Sequence, residues 1–153
     1  MPVKKVKIEV IQGPNFKTEC RAGKHRVIID QPENAGGTDE GPTPLDVQLM
    51  ALGGCIASIG RIVAMQRQLD VRGFEVLLEG ELDTDGLLGK PSDKRVGLSA
   101  ITARVKIDAD LGQEEQQKLL NEIEKRCPVS DNLQNATPIS VTLAPVAKSL
   151  KPL

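Results

Sequence analysis

The sequence predicts an α+β fold: a mainly antiparallel sheet carrying a long central helix and a second helix. Three observations predict it. Apolar and charged residues alternate in several separate stretches, as where Val6, Ile8 and Val10 interleave with Lys5, Lys7 and Glu9, the period of a strand with one wet face. Leu45 to Met65 is a long apolar stretch that opens on a helix-start signal. A later stripe of Leu119, Leu120 and Ile123 has helical spacing. Strands grouped around helices, without a regular strand–helix alternation, place helices against an antiparallel sheet.

In chain order, residues 3–30 read as a three-strand meander with turns at Gly13-Pro14-Asn15 and Gly23. A loop rich in Gly, Asp and Pro, Glu33 to Pro42, leads into the central helix at 43–69. There Thr43 caps the free amides, Pro44 suits the first helical position and Asp46 completes a capping box. Phe74, Val76, Leu78 and Leu82 alternate with glutamates and predict a strand over 72–83. A further strand is expected over 94–108. Its apolar parity switches near Ser99, which reads as a bulge or as burial on both faces. Asp110-x-x-Gln113 resembles a second capping box and opens a helix over 111–126. Cys127-Pro128 ends that helix. After a short helical turn, Ile139, Val141 and Leu143 predict a final strand over 138–144. With no repeat and no low-complexity linker, the 153 residues read as one domain.

Composition narrows the chemistry. The net charge is −1, and Phe16 and Phe74 are the only aromatic residues besides His25, so neither a nucleic-acid nor an anionic-membrane surface is expected. The apolar stretch from Leu45 is interrupted by Asp46, Gln48 and Arg61, which predicts a buried helix rather than a membrane span. The amino terminus lacks the pattern of a signal peptide, so a cytoplasmic protein with reduced thiols is expected. A single histidine, His25, precludes zinc sites with two or three His ligands, and the three cysteines show no Cys-x-x-Cys spacing. No Gly-x-Ser-x-Gly elbow, dinucleotide fingerprint or phosphate loop is present. Covalent chemistry, if any, belongs to sulfur.

Each cysteine supports two readings. Cys55 lies inside the central helix after Gly53-Gly54, as a small buried hydrophobe or as a reactive thiol. Two helix glycines cost about 1 kcal/mol each relative to Ala, which implies a close approach or a kink. Its helical neighbours include Gln48, Leu52 and Ser58, an apolar face with two hydrogen-bonding groups and a candidate substrate pocket. Cys127 continues the stripe of Leu120 and Ile123 inward and precedes Pro128 at a helix start, where amide dipoles favour a thiolate. It reads equally as a residue chosen for its size. Cys20 lies in an alternating strand and reads as structural. Spacing alone leaves open whether Cys55 and Cys127 meet.

The segment Gly41-Pro42-Thr43-Pro44-Leu45-Asp46, with Leu52-Gly53-Gly54-Cys55 and Cys127-Pro128-Val129-Ser130, closely resembles the family of osmotically inducible (OsmC) and organic hydroperoxide resistance (Ohr) proteins, in a divergent Gly-Gly-Cys branch. The resemblance implies an intertwined homodimer without metal or organic cofactor. It implies Cys55 as the peroxidatic thiolate, Cys127 as the resolving thiol and an external dithiol, such as a lipoyl protein, as reductant. The activating arginine would come from the amino-terminal hairpin, with Arg21 preferred over Arg26. Where relatives carry a glutamate ten residues before the reactive cysteine, this chain has Leu45; Asp46 is one position on. That departure opens the alternatives of a non-catalytic ligand-binding module or a redox sensor.

Overall fold

The structure, a computed structural model, describes residues 3–144. Its first unit is an antiparallel meander of β1 (Glu9–Gln12), β2 (Thr18–Ala22) and β3 (His25–Ile29), in the order β1-β2-β3. The register places Val10 opposite Cys20 and Cys20 opposite Val27, so these three side chains share one sheet face. Residues 3–8, expected in the first strand, lie outside it, and Val6, Ile8 and Val10 are exposed. The alternation is real, but nothing among the described residues covers that face. No meander residue belongs to the hydrophobic core of the described residues.

Asp30 ends the meander and organises the loop that follows. Its carboxylate, 1% exposed, accepts hydrogen bonds from the Gln31, Thr38 and Glu40 amides and from Thr38 Oγ1 at 2.7 Å. These bonds, the Thr38 hydroxyl first, hold it at a pKa of about 2 against burial. Gly41 completes the clasp, because a Cβ there would sit 2.3 Å from the Ile28 carbonyl oxygen. The loop thus delivers Thr43 to the start of α1 (Pro44–Gln66).

The capping box forms as the sequence implies: Asp46 N donates to Thr43 Oγ1 and Thr43 N donates to the Asp46 carboxylate at 2.9 Å. The helix ends at Gln66, short of the expected 69, and Gln68 with φ 55° turns the chain in the left-handed region. β4 (Val71–Glu81) and β5 (Ala100–Ala109) form a second antiparallel sheet, with a short helix α2 (Thr84–Leu87) between them. β5 starts at Ala100, not at 94. The parity switch near Ser99 is therefore the end of a loop; the register irregularity lies instead between Val71 and Gly73. From Ala100 onward, Ile101, Val105 and Ile107 alternate inward as one face requires.

α3 (Gln113–Arg126) packs on α1, followed directly by α4 (Pro128–Gln134). The expected Asp110 cap is not used: Gly112 is the N-cap, and Asp110 pairs with Arg72 at 3.1 Å. Leu52, Ile56, Val63 and Ala64 of α1, Val71, Ile107, and Leu119, Ile123 and Cys127 form one core. α1 is long and apolar enough to cross a membrane, but it is folded against β4, α3 and α4. The final strand over 138–144 is absent; Ile139, Val141 and Leu143 are extended and 85–98% exposed. A strand needs a hydrogen-bonding neighbour, and none pairs with this segment among the described residues.

Candidate functional site

The site gathers where α1 passes the junction of α3 and α4. Gly53 lets the helix lie close to β4, since a Cβ there would come within 2.8 Å of Leu78 Cδ1. Gly54 points the other way, into open space. Cys55 follows, half-buried and packed against the core. Cys127, 1% exposed, ends α3 and caps α4, its Sγ accepting from Ser130 N at 3.4 Å. Pro128 at the first helical position makes the reversal possible without wasting an amide.

Cys127 lies close enough to act on the Cys55 thiol, and both thiols are free. Burial pushes the Cys55 thiol above its ordinary pKa, the neighbouring Cys127 thiol pushes it further, and the Val129 backbone pulls it back. No arginine takes part. Arg21 and Arg26 face each other across β2 and β3 and both pair with Glu19, at 2.9 and 3.4 Å. Within one chain neither reaches the cysteines. Asp46 is exposed and occupied by its capping box. Of the expected pocket residues, Leu52 lies in the core beside Cys127, whereas Gln48 and Ser58 are exposed on other faces of α1. Cys20 is half-buried within the meander. Among the described residues, no group of three or more His, Cys, Asp or Glu side chains is placed to hold a metal ion.

Beside Cys127 opens a cavity of about 510 Å³, within the range of small-molecule sites. Leu52 and Ile56 of α1, Ile101 and Val105 of β5, and Ile123 and Leu133 supply apolar wall, and Ser130 and Gln134 supply hydrogen-bonding groups. Arg95 stands in the lining as its one cation. It is not among the expected site residues, because it lies in a polar run without periodicity at the start of the strand expected over 94–108. The one sequence signal is a basic residue followed by apolar Val96 and Leu98 after a Pro- and Gly-containing loop.

The family model for OsmC-like proteins matches residues 37–142, from the loop before α1 to beyond α4. The chain belongs to the OsmC-like family. No curated protein matches it closely. Among solved structures, an OsmC-like protein from Mycoplasma pneumoniae superposes with a TM-score of 0.76 at 20% identity, covering 87% of this chain and 89% of that one. An organic hydroperoxide resistance protein from Legionella pneumophila gives 0.67 at 19%, covering 88% and 92%. Another, from Elizabethkingia anophelis, gives 0.68 at 16%, covering 88% and 91%. At these identities the OsmC-like fold is what is shared.

Proposed function

We propose that this OsmC-like protein reduces organic hydroperoxides through Cys55 and Cys127, in a cytoplasmic defence against oxidants and without a metal or organic cofactor. The observation that supports the reading is the proximity of two free thiols, Cys55 and Cys127, the second of which lines an apolar cavity. The Cys55 thiolate attacks the terminal oxygen of the hydroperoxide; an S–O bond forms, the O–O bond breaks, and the leaving alkoxide takes a proton to become the alcohol. Cys127 then attacks the sulfenic sulfur, forming the disulfide as hydroxide leaves and is protonated to water. An external dithiol, of which a lipoyl group is one example, returns two electrons and two protons.

Among the described residues no cation acts on Cys55, and much apolar surface is left uncovered. Val10 and Val27 on the meander, Ile62 and Met65 on α1, and the extended Ile139 to Leu143 segment are all exposed. Gly54 faces nothing in its own chain. A second copy covering these faces is the reading they support, and its meander is the route by which Arg21, held by Glu19, reaches Cys55. There a guanidinium would offset burial and polarise the peroxide.

The test is turnover of tert-butyl hydroperoxide and hydrogen peroxide with excess dithiothreitol. The organic peroxide is expected to be consumed faster than the inorganic one and well above the rate of the dithiol alone. Consumption of neither above that rate would instead favour the second reading, a non-catalytic ligand-binding module, which Leu45 and the raised Cys55 pKa support.

A further inference from the structure

The two sulfurs differ in how far a nucleophile can reach them. Cys127 is 1% exposed and belongs to the core with Leu119 and Ile123, both fully buried. Its Sγ already accepts from the Ser130 amide at 3.4 Å. Cys55 stands at the margin of the buried face of α1. Leu52, a turn before it, is buried, whereas Ala51 and Ser58, its neighbours four residues before and three after, are exposed. Cys55 itself is half-buried. Thiol–disulfide exchange depends on which sulfur is attacked and on access to it, and the entering, attacked and leaving sulfurs must lie in line. Cys127 contributes to the cavity wall, but a packed residue with almost no surface offers no line of approach. Cys55 has open surface beside it.

We propose that the external dithiol attacks the sulfur of Cys55 in the oxidised protein, and that Cys127 departs as the thiolate, received by the Ser130 amide. An S–S bond forms between reductant and Cys55 as the Cys55–Cys127 bond breaks, and the electron pair leaves with Cys127, which takes a proton. The second thiol of the reductant then attacks the reductant's own sulfur in this mixed disulfide. A cyclic disulfide departs, and Cys55 is released as the thiolate that the next peroxide needs. A backbone amide donating to the departing sulfur favours its charged form. Peroxide and dithiol thus meet the same sulfur in turn, and Cys127 meets neither. This rests on the two sulfurs joining, as in the reading above, and not on which oxidant joins them.

Mapping the mixed disulfide tests the assignment. Full-length Cys20→Ser protein is oxidised with diamide, so that no hydroperoxide is involved. It is then mixed briefly with excess mercaptoethanol, a monothiol that cannot cyclise, and quenched into denaturing N-ethylmaleimide. Peptide masses are expected to place mercaptoethanol on Cys55 and maleimide on Cys127, with the reverse pattern scarcer by about tenfold or more. Equal labelling or the reverse pattern would overturn the assignment, as would failure of diamide to join the two sulfurs. A second measurement is immune to migration of the adduct. In the same Cys20→Ser background, Cys127→Ser should react with dithiodipyridine through Cys55 about tenfold or more faster than Cys55→Ser reacts through Cys127. Equal rates, or a faster Cys127, would again overturn it. If the diamide-formed disulfide opens at Cys55 while no hydroperoxide is reduced, the catalytic reading fails and this one stands.

Discussion

Cys55 holds its proton more tightly than an ordinary thiol, and this governs what the protein must do to use it. Because burial raises its pKa, the thiolate fraction at neutral pH is smaller than for a free cysteine, and attack on a peroxide accelerates as pH rises towards that value. An activating cation moves the profile the other way. In Arg21→Gln, oxidation of Cys55 at pH 7, followed by stopped flow, is therefore expected to slow by tenfold or more, and its rate–pH profile to shift upward. An unchanged profile would mean that Arg21 does not act on the sulfur. At this scale the sequence was legible where periodicity applied: the helical stripe through Leu120 and Ile123 correctly turned Cys127 inward. It was not legible for Arg95, since loop residues carry no period and their neighbours are set by tertiary contacts.

The elements were read most accurately where a local signal and burial agree. Thr43, Pro44 and Asp46 specify the start of α1 to the residue, whereas β5 and the end of α1 shifted by several residues. Gly60 shows why α1 lies where it does: a Cβ there would meet Phe74 Cζ at 2.6 Å and Ile123 Cδ1 at 3.1 Å. Gly60→Ala is expected to destabilise the fold by about 1–3 kcal/mol through overpacking, despite the gain in helix propensity. A rise in melting temperature would contradict that close approach. The Asp30 clasp adds a pH dependence. Its folded pKa of about 2 lies below the ordinary 3.8, so its stabilisation is complete above the ordinary value and is lost as pH falls through about 2. Urea denaturation should find Asp30→Asn less stable than wild type at pH 7, with the difference shrinking as the pH approaches 2. A difference independent of pH would assign the clasp to hydrogen-bond geometry rather than charge.

The whole molecule exposes more surface than its mass warrants. The chain presents 12127 Å² for 16.5 kDa, about 1.6 times the roughly 7,500 Å² of a compact monomer. The apolar pattern at Val6 to Val10 and at Ile139 to Leu143 was legible in the sequence, but nothing among the described residues covers it; a sequence records which faces are apolar and not what covers them. The second copy proposed above, as an obligate dimer burying several thousand Å², would account for both. Light scattering coupled to size exclusion is expected to give twice the chain mass, and the pair Ile62→Asp with Met65→Asp to shift it towards one. A monomeric wild type at micromolar concentration would remove the second copy and with it the route for Arg21.

The cysteine pair itself is tested most directly by intact mass after one equivalent of an organic hydroperoxide. The wild-type chain should lose two hydrogens, recovered on adding a dithiol, as Cys55 and Cys127 join. Cys127→Ser should instead gain one oxygen at Cys55, and Cys55→Ser should not change. Retention of the full mass by the wild type, or the same two-hydrogen loss in either variant, would contradict a reaction run by these two sulfurs.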